Sequence, residues 1–173
     1  MQETPEQYTA RILSNLRGGD PLKVLRSTPK RIGKLISGKS RSVLYKKPSP
    51  SQWSAAEIVA HLAETELVLG WRYRTIAEKN GVPLQPFEQD DWAVNSKYQK
   101  SNIQEMIELY SVLRKANLKF LTGLPKEKWN NFGLHQERGK ETIRHIVNLE
   151  AGHDLNHFKQ IERIVKLKNN LSR

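Results

Sequence analysis

EAGHDLNHFKQIE, residues 150–162, decides how this chain is read. Its composition is strongly helical, and it places His153 and His157 four residues apart. At about 3.6 residues per turn, that spacing stacks two imidazoles on one helix face, one turn apart. Two rings so placed hold two corners of a metal site when a third ligand arrives from another helix. The best third candidate is His61, far upstream in SAAEIVAHLAETE. Three neutral imidazoles with room left for water describe an open, catalytic kind of site rather than a closed structural one. The plain alternative is a helix with one core histidine and one solvated histidine, and spacing alone leaves both open. Histidine also occurs at His135, in the polar stretch NFGLHQERGKET, and at His145. On a helix His145 falls about 80° from His153 and about 120° from His157, which makes it a poor third ligand.

Apolar periodicity marks four main helices. The last runs over about 140–168. A first covers about 20–37 through Leu22, Leu25, Ile32, Leu35 and Ile36, with Pro29 expected to kink it. A second runs from about 53 to 80, after the Ser49-Pro50-Ser51 break, and stops at Asn80-Gly81. The third carries Ile103, Met106, Ile107, Leu109, Tyr110, Leu113, Leu118 and Leu121, with Ser101 as the expected N-cap and Gln104 completing a capping box. Residues 1–19 form an N-terminal extension with a short helix expected near 5–17, residues 20–168 the bundle, and 169–173 a tail. The connection 81–101, GVPLQPFEQDDWAVNSKYQKS, has two prolines and no sustained period. Its length suits a crossover between helices running in the same direction, covering the open end of a bundle. The expected architecture is therefore all-α, a four-helix bundle with one long crossover connection. Trp53, Trp71, Trp92 and Trp129 are expected in the core or in a lid.

Four segments, in order, resemble the DinB-like superfamily of four-helix-bundle metalloenzymes, which includes bacillithiol- and mycothiol-dependent transferases and isomerases. They are DPLKVLRSTPKRIGKLI at 20–36, SQWSAAEIVAHLAETE at 51–66, PFEQDDWA at 86–93 and HQERGKETIRHIVNLEAGHDLNHFKQIERI at 135–164. The first resembles the family's opening helix with its Thr-Pro step, and the second its Trp-Ser/Thr start of helix two followed by a His-Leu pair. The third is similar to an acidic crossover, and the fourth to a last helix with His-x-x-x-His and a trailing His-x-x-Gln-Ile. The resemblance implies metal ligands at His61, His153 and His157, the same three that spacing selects.

Imidazole suits several divalent metals, of which zinc or nickel is expected here. Glu57 and Glu64 fall about 40° and about 60° from His61 around their helix, and Glu150 precedes His153 by three residues. These carboxylates are the candidates to orient a ligand ring or act as a base; an ordinary surface ion pair is the competing role for each. Two reaction classes follow from such a site. One is transfer of a low-molecular-weight thiol to a small electrophile, preferred because the resembled family contains thiol transferases. The other is metal-dependent hydrolysis. A non-catalytic module that binds metal or a small ligand in a stress response is the third reading.

Composition bounds the rest. The 173 residues contain no cysteine, which excludes disulfides, thiolate ligands and a cysteine nucleophile, so any thiol must be bound from outside. No apolar run reaches membrane-spanning length, and the polar N-terminus lacks a signal-peptide core, so a cytoplasmic location is expected. The net charge of +11 concentrates at the ends, with 11 Lys/Arg against 3 Asp/Glu in residues 1–50 and 5 against 1 in residues 158–173. Solvated helix faces account for that pattern, and with no nucleic-acid motif present, nucleic acid is not the expected partner. The expected partners are a small-molecule substrate and a second copy of the chain, as a homodimer.

Overall fold

The computed structural model describes residues 3–167. The expected tail 169–173 and the last residue of the expected fourth helix lie outside the described residues. Seven α-helices occur among the described residues, and four of them form the bundle: α2 (Pro21–Ile36), α4 (Ala55–Glu78), α6 (Ile103–Thr122) and α7 (Ile143–Leu167). The chain is an all-α four-helix bundle with one long crossover connection.

Local chemistry sets the helix starts. Asp20 accepts hydrogen bonds from the Leu22 and Lys23 amides, and Pro21 supplies a first residue that needs no amide partner. Ser54 and Glu57 form a reciprocal capping box that starts α4. α6 begins one residue later than expected, because Asn102 rather than Ser101 caps it, accepting from the Gln104 amide at 3.0 Å. Ser101 is used differently: its carbonyl accepts from the Tyr45 hydroxyl, which in turn accepts from the Ile103 amide.

Cross-helix contacts fix the directions. Glu66 meets Arg114, Arg74 meets Asn117, and Arg74 stacks on Phe120, so contacts climb α4 and α6 together and the two run parallel. His61 meets His153, whereas Tyr73, farther along α4, meets Glu150, earlier on α7; α4 and α7 are antiparallel. α2 packs against α6 and α7, and α4 against the same two, so α2 and α4 occupy opposite corners. The connection from α4 to α6 does join two helices of one direction. It is not irregular throughout, holding a short strand β1 (Val82–Leu84), α5 (Gln89–Asn95) and a 3₁₀ turn at Tyr98–Lys100. β1 pairs in parallel with β2 (Phe132–His135), which pairs antiparallel with β3 (Gly139–Thr142), forming a small sheet that the sequence reading had not anticipated.

The two remaining helices flank the bundle. α3 (Arg41–Leu44) follows α2, and α1 (Pro5–Ser14) lies against α7. Gly152 makes that approach possible, since a Cβ there would stand 2.2 Å from the Ile12 carbonyl oxygen. The apolar core divides in two. One cluster contains Ile32, Ile58, Leu62, Ile107 and Ile161, and the other Leu25, Leu69, Ile76, Leu121 and Ile146. Between them lies a polar layer centred on Arg114, 3 % exposed. Its guanidinium contacts Glu66 at 2.5 Å, Asp154 at 2.7 Å and Glu150 at 3.0 Å.

Pro29 sits inside α2 and cannot donate to the Leu25 carbonyl four residues back. Arg114 Nη1 donates to that carbonyl instead, at 3.0 Å. Trp71 departs from expectation: it is 71 % exposed, on the outer face of α4. No helix among the described residues is long and apolar enough to cross a membrane.

Candidate metal centre

His61 lies in the second turn of α4, in a segment where neighbouring helices bury nearly every side chain. Because α7 runs antiparallel alongside, its His153 and His157 arrive at the same level. The three imidazoles converge, and their ligand atoms all lie within 4.8 Å of one another. His153 Nε2 is 3.2 Å from His61 Nε2 and 3.0 Å from His157 Nε2. For comparison, two nitrogens on one tetrahedral zinc stand about 3.3 Å apart, given bonds of about 2.0–2.1 Å.

Hydrogen bonding alone does not satisfy this arrangement. His157 Nδ1 lies 2.7 Å from Gln160 Oε1, an oxygen that can only accept. The ring therefore donates from Nδ1, and its Nε2 turns a lone pair toward the other two histidines. His153 Nε2 carries at most one proton and faces two nitrogens, so one proton answers at most one close pair. A single cation answers all three. The His61 Nδ1 atom is buried with no hydrogen-bond partner among the described residues.

The surroundings keep the rings neutral, as ligation requires. Burial first, and then the neighbouring His157, hold His61 and His153 well below the usual imidazole range. Burial also lowers His157, to about 4, against the opposing pull of its bond to Gln160. Trp53 packs on the His61 ring at 4.8 Å between centroids, and Tyr98 meets Trp53 edge-on at 6.3 Å.

The carboxylates singled out from the sequence are engaged elsewhere, and among the described residues none hydrogen-bonds to the imidazoles. Glu57 caps α4 through the Ser54 amide at 2.8 Å and pairs with Lys47 at 3.1 Å. Glu64 accepts from the Tyr98 and Ser96 hydroxyls at 2.8 and 3.3 Å, pinning the crossover onto α4. Glu150 accepts from Tyr73 and belongs to the Arg114 layer, although it also lines a cavity beside His61 and His153. Burial, and then Glu66, push its carboxyl well above the usual range. His135 closes β2 and accepts from the Glu137 amide, while His145 lies 4.0 Å from Glu141; neither joins the cluster. Gln160 and Trp53 were not foreseen as neighbours of the rings. Gln160 was legible in principle, lying three residues after His157 and hence on its helix face.

The histidines line two cavities. One, of about 430 Å³, is lined by His157 with Trp53, Gln160 and Arg163. The other, of about 350 Å³, is lined by His61 and His153 with Tyr8, Arg72 and Glu150. Gln89, at the start of α5, borders both.

Comparison with known proteins gives a consistent placement. No curated protein matches the chain. Among solved structures, the fold is similar to YfiT from Bacillus subtilis, with a TM-score of 0.81 at 15 % identity over 98 % of this chain and 91 % of that one. That protein is described as "a probable metal-dependent hydrolase with an unusual four-helix bundle topology". The family model of the DinB superfamily matches residues 25–161, most of the chain. The chain belongs to the DinB superfamily.

Proposed function

We propose that this protein is a metal-dependent enzyme. His61, His153 and His157 hold one divalent cation, zinc or nickel, and the reaction transfers a low-molecular-weight thiol to a small electrophile. The histidines border two cavities, His157 one and His61 and His153 the other, and this supports the reading because it gives room for two organic reactants beside one centre. A bound cation supplies Lewis acidity, lowering the pKa of a thiol or water and polarising an electrophile. The chain's own residues do the positioning. Gln160 fixes the His157 tautomer, Trp53 restrains the His61 ring, and Glu64, three residues after His61, holds the crossover to α4. With no cysteine in the chain, the thiol must be a second substrate.

Hydrolysis is the second reading, favoured by the description of YfiT, and needs only water in place of the thiol. The experiment screens metal-loaded protein for thiol conjugation of small electrophiles and for ester and amide hydrolysis. Conjugation that requires metal and disappears in His61→Ala supports transfer, and turnover without thiol supports hydrolysis. Silence in both panels with metal bound would leave a binding module. We further propose a homodimer, supported by the exposed Leu67 and Trp71 of α4 and Val94 of α5. A concentration-independent monomer mass in light scattering would rule it out.

A further inference from the structure

Arg72 follows His61 by eleven residues on α4, which returns it to within about 20° of the same helix face, about 16 Å farther along the axis. Both residues line the 350 Å³ cavity. Arg72 is only 5 % exposed, and its Nη2 donates to the Gln85 carbonyl at 2.6 Å. Among the described residues no carboxylate forms an ion pair with it. Glu141, the buried acid whose charge it feels, is already gripped by Arg138 through two bonds of 2.7 and 3.1 Å. The other acids of the cavity are also accounted for. Glu3 is bound to Arg11, Glu150 faces Tyr73 and Arg114, and Glu88 and Glu137 are exposed.

A desolvated guanidinium is costly unless an anion meets it. Arg114, the comparably buried arginine, is met by three carboxylates. Arg72 is met by a peptide carbonyl. Its planar fork matches a carboxylate bidentately, and the exposed acids Glu88 and Glu137 disfavour a dianion. Leu69, Phe87, Ile146 and Leu149 give the cavity an apolar part, beside the polar Thr65 and Glu150.

We propose that Arg72 is a carboxylate anchor, so that the cavity takes a small monocarboxylic acid with an apolar body and its reacting end at the three histidines. The orientation rests on the histidines being the reacting centre; the anchor itself does not. The carboxylate is thus a remote handle, several bonds from the reacting atom.

Calorimetric titration of the full chain with 4-phenylbutyrate and with its neutral amide tests this, on metal-loaded and chelator-treated protein, with metal content measured in each sample. In both forms the acid is expected to bind about 10- to 100-fold more tightly than the amide, as for a hydrogen-bonded charge. Arg72→Gln should bring the acid down to the level of the amide, leaving amide affinity and metal content unchanged. Arg72→Lys, which keeps the charge but not the fork, should retain part of the preference, and it decides the matter should Arg72→Gln misfold. Equal binding of acid and amide, no binding of either at millimolar concentration, or a preference that survives Arg72→Gln would overturn the anchor. A preference that needs the metal and ignores Arg72 would place the carboxylate at the histidines instead. Arg72-dependent binding to wild type that takes up no metal on loading would uphold the anchor while removing the metal reading.

Discussion

Two buried polar groups lie within about one and a half turns of each other on α4, and they are finished differently. Around Arg114, one positive charge is met by Glu66, Glu150 and Asp154, with Asn117 holding Glu66 at 3.0 Å. Around His61, three nitrogens face one another with too few protons to go round. Both sets draw on α4 and α7. The first is answered from within the chain, and the second asks for something from outside. Buried polarity alone therefore does not mark a functional site; the unmatched part does.

Breaking the matched group has the largest expected effect. Arg114→Met strands three carboxylates between two apolar clusters and should cost about 3–5 kcal/mol in urea denaturation, as for other broken buried ion pairs. A loss under about 1 kcal/mol would mean that the layer relaxes by taking up protons.

Acid should act on the unmatched group next. In the folded metal-free protein His157 stays neutral down to about 4, and His61 and His153 are also held well below the usual range. In the unfolded chain the same rings take up protons from about pH 6.5. Between these values the unfolded state binds more protons, so this contribution is constant above about pH 6.5 and falls as the pH drops toward 4. Glu150 and Asp154 act in the opposite sense, because their folded pKa values are raised. Denaturation at pH 7.5 and pH 5 in wild type and in the His153→Ala, His157→Ala double variant isolates the histidine part. Between pH 7.5 and pH 5 the double variant should lose less stability, or gain more, than wild type.

Metal should stabilise wild type by about 2.7 kcal/mol when free ion is 100 times its Kd, and the double variant not at all. Elemental analysis of both freshly isolated proteins checks the same point, and equal content would remove the assignment. The smallest effect is expected at Gln160. Replacing it with Leu frees the His157 tautomer and should weaken metal affinity about tenfold, the low end for loss of a partner that orients a ligand. Competition with a chelator reads it directly.

The four main helices and the histidine pair were legible because both depend on period: apolar residues near every 3.6 positions, and two imidazoles one turn apart. His61 was legible as the remaining histidine in a helical context, and the order of family-like segments pointed to the same residue. The small sheet was not legible. Its strands are three or four residues long, and Pro83 stands inside the first. Arg114 was overlooked because arginine on a helix usually faces water. Yet it stands on the buried stripe Ile107, Tyr110, Leu118 and Leu121, and Glu66 stands on the stripe Leu62, Leu69, Tyr73 and Ile76. A charge on such a stripe is the signal, and two on facing helices predict each other. Arg72, between Leu69 and Ile76, carries a similar mark, but its surroundings are a cavity that only folding creates.

Pro29 has a consequence for the alignment of the whole bundle. Apolar contacts tolerate sliding, because one aliphatic side chain resembles the next. A single unoccupied carbonyl on α2 and a single guanidinium on α6 do not. If either helix slips by one turn, about 5.4 Å, the arginine faces a carbonyl already taken by its own helix, and Leu25 has no donor. The residue that interrupts the ladder of α2 thus acts as a notch, and Arg114 as the tooth that fits it. Through Asp154, the neighbour of His153, the same tooth sets the height at which the histidines of α7 meet the one on α4.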